Sequence, residues 1–454
     1  MLEENTATVM KESKLDLNEM FFSITKHDST IESGNDVFVH ISGYEKEELI
    51  GQYHNIIRDP DMPKVIFKVF WDYLNAKKPI VAYVKNRTKE GGFYWVLSIV
   101  FPLDEHYVSI RIKPNTEIFA TVRELYFRLL MSEAKHNMEA TEELLYQLLN
   151  ELGYEDYDQF MNEVLLSELL LRKKLQTQQE GASYKRDILA QEKSLQNEVI
   201  ANLFEISTQL SQRYTIWFEK IELFTKMKCD FEAKGQGLLV LARDIVFLSL
   251  NASVSSYKME QNGETFGVLA SDIRTNAKEN DILIEKIHTE VEILTEAINE
   301  VIFMASYVSL QIEMVTYFIQ ELLEKNDPSL YENIDTLFEL VGIYNDKLMQ
   351  QPKIIDKTVR EIAVCLDELE QQVMYLGYIQ VYGFIESARC LENGLGFTEI
   401  FSQLKTLIAT TSDEILMMKN MADNFVKENN RLVEQSGTIY KMLDNFEQET
   451  KKLS

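Results

Sequence analysis

Cysteine, proline and glycine are all scarce in this chain of 454 residues, at 3, 7 and 17 positions. Cys229, Cys365 and Cys390 are odd in number, far apart and form no CxxC pair. That excludes a disulfide framework and a thiolate metal site, and it fits a reducing cytosol. So few prolines and glycines leave little turn chemistry, and the elements must be long, which favours helices. Basic residues are in deficit too: 46 Lys and Arg stand against 73 Asp and Glu, for a net charge of -27. Nucleic acid and anionic membrane surfaces recruit clustered cations, so neither is an expected partner. No unbroken apolar run reaches the roughly eighteen residues of a spanning helix. The most apolar one, "VIFMASYVSLQI", is short and interrupted by serine. The opening "MLEENTATVMKESK" mixes charges of both signs and lacks the apolar core of a signal peptide. The expectation is a cytoplasmic protein without a membrane span.

What is present is apolar enough, at 45%, to build packed cores, and the length allows two to four domains. After a flexible N-terminal cap at residues 1–20, the chain is mixed in texture from Phe21 to about residue 114. "FFSIT" and "YWVLSIVFPL" are β-branched and aromatic runs, "TKEGG" is a turn, and "HYVSIRI" alternates like a half-buried strand. "SGYEKEELIG" and "MPKVIFKVFWDYLNAK" have helical spacing, with Ser42 and Pro63 placed as helix starters. Two of the seven prolines fall in "HNIIRDPDMPKVIF", directly ahead of that second helix. A small α+β domain with an antiparallel sheet and flanking helices is predicted here.

Everything after about residue 115 is helical in pattern. Residues 115–194 read as a connector of two or three helices, broken at "LGYEDYD". Beyond Leu195 the apolar steps tighten to heptads. Ile284, Ile287, Val291, Leu294, Ile298 and Val301 alternate steps of three and four, and so do Ile355, Val359, Ile362, Leu366, Leu369, Val373 and Leu376.

An internal repeat organises this half. "VSSYKMEQNGETF" from Val254 and "IESARCLENGLGF" from Ile385 align without a gap at an offset of 131. Ser256/Ser387, Asn262/Asn393, Gly263/Gly394 and Phe266/Phe397 are identical pairs. Asn-Gly tolerates the left-handed backbone of a tight reversal, so each copy reads as a helical hairpin, 195–325 with its tip near 262–263 and 326–454 with its tip near 393–394. Each hairpin alone leaves an apolar seam uncovered. Pairing within the chain, as a pseudo-dimer, gives an antiparallel four-helix coiled-coil bundle. Pro352 should kink or interrupt the third long helix.

The N-terminal domain resembles the flavin-binding PAS domain of bacterial aerotaxis receptors, through "GNDVFVHISGYEKEELIGQYHNIIRDPDMPKVIFKVFWDYL" and "VKNRTKEGGFYWV". That resemblance implies a flavin adenine dinucleotide (FAD) site lined or supported by Asn35, Arg58, Asp61, Trp71 and Asn86. The family usually has histidine directly after the arginine. Asp59 stands there instead and adds negative charge near the expected diphosphate. Heme is the other cofactor of such folds; His54 and His40 are available, but neither sits in a constellation that singles it out.

The C-terminal half resembles the signalling hairpin of methyl-accepting chemotaxis proteins, present in two degenerate copies. This implies contacts with a chemotaxis adaptor and a histidine kinase through Lys258, Glu386 and Arg389 near the tips. Glu386 and Arg389 equally fit a plain intrahelical ion pair. No GxGxxG follows a strand and no acid/base cluster lies outside the first domain, so no enzyme is expected. The expected function is a soluble aerotaxis-type sensor of redox state or oxygen, with a cofactor-free PAS scaffold as the alternative.

Overall fold

The computed structural model describes residues 11–180, 195–258, 263–325, 330–389 and 395–453. The expected Asn262, Asn393 and Gly394 of the tips lie outside the described residues. Five strands are β1 Met20–Lys26, β2 Ile31–Gly34, β3 Ile80–Arg87, β4 Phe93–Pro102 and β5 His106–Ile112. They pair antiparallel in the order β2-β1-β5-β4-β3, so β2 and β3 are the edges. Between β2 and β3 run α1 Asp36–Ser42, α2 Lys46–Leu49, a 3-10 turn His54–Ile57 and α3 Lys64–Asn75.

The starter expected at Ser42 is corrected: Ser42 is the last residue of α1, and α2 begins after Glu45. Gly43 follows α1 with φ +72 and closes it by donating to the Val39 carbonyl, a left-handed cap that glycine takes without strain. Glu45 and Glu48 then form a reciprocal capping box for α2. Pro63 does precede α3, at its N-cap. Residues 11–19 are held in place: Leu15 and Leu17 are buried, and Arg172 donates to the Leu17 carbonyl.

The remaining helices are α4 Glu117–Glu133, α5 Met138–Glu151, α6 Tyr157–Glu180, α7 Leu195–Glu219, α8 Ile221–Tyr257, α9 Gly263–Lys325, α10 Glu332–Leu348, α11 Gln351–Arg389 and α12 Leu395–Thr450. Pro352 interrupts as expected, since α10 stops four residues before it and α11 restarts at Gln351. Its position just inside α11 needs no amide donor, and its carbonyl accepts from Asn429 Nδ2 at 2.7 Å.

Two compact units form. One is drawn from Met1–Thr215, Ala305–Asn345 and Tyr440–Ser454, the other from Ile216–Met304 and Asp346–Ile439, so residues of each hairpin are shared between both units. In the first unit the back of the sheet meets helices through aromatic edges. Phe22 meets Phe318 at 4.9 Å, Phe101 meets Tyr307 and Tyr344 at 5.2 and 5.1 Å, and Tyr83 and Trp95 meet Phe119 at 5.2 and 5.3 Å. Such pairs contribute about 0.5–1.5 kcal/mol each beyond their area.

The second unit buries every position of both heptad seams named above. Residues of both repeats share one core, with Phe266 stacked on its counterpart Phe397 at 4.1 Å. The copies are not interchangeable. Where the first has Ala252 and Ala270, the second has Gly383 and Phe401, and a Cβ at Gly383 would overlap the Phe401 ring.

The expectation that no segment reaches spanning length is corrected. Glu198–Tyr257 and Gly263–Lys325 are long and apolar enough by length and composition, although the most apolar window of the second is 67% buried. An unbroken-run test misses them because polar residues recur within an apolar average.

Gly383→Ala should lower unfolding stability by about 1–3 kcal/mol through overpacking, outweighing the roughly 1 kcal/mol that alanine adds to a helix. In a Phe401→Leu background the loss should largely vanish. Denaturant titration of the two singles and the double measures that non-additivity.

Candidate functional site

The strands' alternation sets polar side chains where a solvent face was expected. Ser23 and Thr25 of β1, Ser98 of β4, and Ser109 and Arg111 of β5 line the same cavity. Its volume is about 280 Å³, and Phe67, Phe70, Trp71 and Leu74 of α3 form its other wall. His54, Asn55 and Arg58 close one side, and Val84 and Asn86 of β3 close another. Backbone pairing explains how distant segments meet here: Arg58 bridges to Asn86, and Tyr53 to Thr30.

The segment with two prolines is a rigid turn. Asp59 Oδ1 accepts the Asp61 amide at 2.9 Å, and the Asp59 carbonyl accepts the Met62 amide at 3.2 Å, which delivers Pro63 to the start of α3. The α3 N-terminus is closed from another helix, Val65 N donating to Glu133 Oε1 at 2.8 Å.

Arg111 dominates the electrostatics. It is 4% exposed, and no carboxylate is among the lining residues. Its guanidinium donates to Ser23 Oγ at 2.9 Å and to His54 Nε2 at 2.8 Å, and lies 5.3 Å from the Phe21 ring. Burial draws its pKa down to about 10, so it stays charged at neutral pH. Burial, reinforced by the Arg111 charge, holds His54 well below the usual imidazole range. His54 is therefore neutral, with Nε2 the acceptor and the proton on Nδ1. An imidazole nitrogen engaged in this way is not a free heme ligand, and His40 is exposed.

Two buried donors on lining residues, Arg111 Nε and Asn86 Nδ2, lack a well-formed hydrogen bond, and the Asn86 side chain lies against the Tyr94 hydroxyl, its cross-strand neighbour. A buried polar group left unmatched costs about 1–3 kcal/mol. Arg58 lies 3.8 Å over the Phe67 ring; burial draws its pKa below its usual value and Glu133 opposes that. Trp71 stands edge-on to Tyr107 at 6.0 Å.

Of the five predicted residues, Arg58, Trp71 and Asn86 come together at the cavity. Asn35 and Asp61 do not line it. Asn35 is buried as a brace for β1, accepting from Phe22 N and donating to the Met20 carbonyl, each at 3.2 Å. Asp61 pairs with Lys85 at 2.8 Å, outside the cavity. Asp59 is turned away as well, buried against the same lysine at 3.2 Å, so its charge is neutralised there. Arg111 and Ser109 were not predicted because "HYVSIRI" shows the same alternation whether its polar face meets water or a cavity.

At the helical ends, Glu386 and Arg389 form an ion pair of 2.7 Å within α11, and Lys258 is the exposed residue that ends α8.

A family profile for the PAS fold matches residues 31–113. The N-terminal domain is a PAS domain. β1 precedes the matched span and completes the PAS sheet. Over 109 residues the chain is 42% identical to the aerotaxis receptor of Escherichia coli (strain K12), an alignment covering 23% of this chain. The chain spans 22% of that receptor's length. Among solved structures, the light state of the blue-light photoreceptor Aureochrome1 LOV is 21% identical, with a TM-score of 0.21, over 22% of this chain and 85% of its own. The LOV domain of a blue-light-activated histidine kinase from Erythrobacter litoralis is 14% identical, with a TM-score of 0.20, over 21% and 97%.

Because the depressed imidazole resists protonation in the PAS domain, stability should be full above pH 6.5, the ordinary histidine value, and fall as pH drops below it. The slope should reach at most about 1.4 kcal/mol per pH unit. His54→Gln keeps an acceptor for Arg111 and should flatten the curve; urea unfolding between pH 7.5 and 5 checks it.

Proposed function

We propose that the PAS domain holds a flavin, as FAD, and that the chain is a redox or oxygen sensor of the aerotaxis type. The observation that carries this reading is one cavity lined by two cations, Arg58 and Arg111, with the Asn86 amide and no carboxylate among its lining residues. Such a lining suits a ligand whose edge bears carbonyls or negative charge. Trp71 and Phe67 supply apolar ring surface for an aromatic plane. The volume, near the lower end of the roughly 300–1,000 Å³ of small-molecule sites, suits a fused ring system and not a whole dinucleotide. The rest of FAD would leave past Arg58, a cation suited to phosphate. A flavin bound there supplies a ring whose charge and hydrogen bonding change when it takes up electrons.

A sensing role fits better than catalysis. The lining holds no Asp, Glu, Lys or Cys, and its one histidine is neutral and engaged, so a general base is wanting. The similarity to a protein called an aerotaxis receptor supports the same reading. Output would go to a chemotaxis-type adaptor and histidine kinase. The support is a repeated exposed stripe: Phe247, Leu250 and Val254 on α8 and their counterparts Tyr378, Val381 and Ile385 on α11 are all exposed. Lys258, and Arg389 with its Glu386 partner, lie one turn further on. Cytoplasmic placement belongs to this proposal.

The test is a visible absorption spectrum of the purified chain after incubation with FAD, aerobic and then with dithionite. A flavin band that bleaches on reduction is expected. Asn86→Ala and Arg111→Met should each weaken retention by about tenfold or more, the equivalent of one or two lost hydrogen bonds to a charged or carbonyl edge. Asp59→His should not improve it, because that carboxylate faces Lys85. A protein colourless under excess FAD overturns the reading and leaves a PAS-headed scaffold.

A further inference from the structure

β3 is an edge strand, with one strand neighbour in β4, and an edge leaves alternate carbonyls and amides without sheet partners. Toward its end the segment ahead of α3 fills them, Arg58 bridging to Asn86 and Met62 Sδ accepting from Lys85 N at 3.2 Å, and over the first half of the strand the connector helices do. Tyr157 Oη, at the start of α6, donates to the Val81 carbonyl at 3.2 Å, and Tyr126 Oη, from α4, donates to the Tyr83 carbonyl at 2.9 Å. The Tyr83 side chain in turn donates to Glu168 Oε1 of α6 at 2.7 Å. Glu168 is wholly buried and accepts three more hydrogen bonds, from Asn115 N at 2.7 Å, Thr116 N at 3.1 Å and Thr116 Oγ1 at 2.8 Å. One carboxylate thus joins α6, the entry to α4 and the edge strand. Burial raises the pKa of Tyr126 and Tyr157, and of Tyr83 with added effect from the Glu168 charge, so all three phenols remain donors at any working pH.

The same strand carries Asn86, which lines the cavity and bridges to Arg58. We propose that the state of the cavity is read out through the outer edge of β3, with the Tyr126 and Tyr157 hydroxyls as the output contacts and Glu168 as their anchor. The proposal rests on the flavin reading for what changes at Asn86. Other ring contacts from sheet to helix start from Phe22 on β1 and from Phe101 and Trp95 on β4, and both strands are hydrogen-bonded on two sides. Moving either breaks two ladders. β3 yields with one ladder, and a shift of a few tenths of an ångström registers in a phenol–carbonyl bond while ring packing tolerates it.

The experiment is amide hydrogen exchange of the full chain loaded with FAD, oxidised and dithionite-reduced, in the native sequence and in Tyr126→Phe/Tyr157→Phe. Neither tyrosine lines the cavity, so the double variant should retain the flavin band. The expected result is a several-fold change in exchange across α4, α5 and α6 on reduction, abolished in the double variant. An undiminished change in the double variant overturns the proposal, as does a change confined to residues 305–325 and 332–345. A chain that stays colourless refutes the flavin reading separately. The cavity is then perturbed by Asn86→Leu: altered exchange in α4–α6 that disappears when both tyrosines are also Phe supports the edge route, and equal alteration with and without them overturns it.

Discussion

A guanidinium taken out of water without a carboxylate partner is expensive by several kcal/mol, and the PAS domain is arranged around one. Arg111 is tolerated because Ser23 and a neutral His54 accept from it and because Phe21 and Phe38 present ring faces to it. Phe38 also stacks on His54 at 6.0 Å, which keeps the imidazole in line. The placement of α1 follows from these contacts, and with it the bracing of β1 by Asn35. Arg111 Nε is buried without an acceptor, the one donor of this guanidinium that the surrounding side chains leave unmatched among the described residues.

The helical regions depend on a simpler rule. Apolar residues every three and four positions bury one seam per helix, and the two repeats bury theirs together. Polar groups in that core are matched locally: Asn276 Nδ2 donates to Gln372 Oε1 at 2.6 Å, and Gln380 Nε2 to the Phe401 carbonyl at 3.2 Å. Such asymmetric polar contacts fix which helix meets which, a use of buried polarity that apolar seams cannot serve.

The heptads, the interruption at Pro352 and the mixed N-terminal domain were legible because each rests on local spacing or on a residue with one conformational habit. The strands of β4 and β5 were legible in the same way. Two of the predicted site residues fell elsewhere because a polar residue near a turn has two uses, facing a ligand or satisfying backbone, and sequence does not separate them. Asn35 and Asp61 took the second use. Arg111 was hidden for the reverse reason, as a polar residue in an alternating strand that faces a cavity where water was expected. Ser42 misled because serine opens helices more often than it ends them, and only the positive φ of Gly43 decides the matter.

The stacking of Phe266 on Phe397 joins two copies that one peptide chain already connects. Their encounter is unimolecular, with an effective concentration on the order of millimolar for short flexible links. Within one chain that meeting needs no second molecule. A single gene also lets the halves drift apart in sequence while remaining obligate partners, and the exchange of Ala252 and Ala270 for Gly383 and Phe401 is one such divergence, matched on both sides of the same contact.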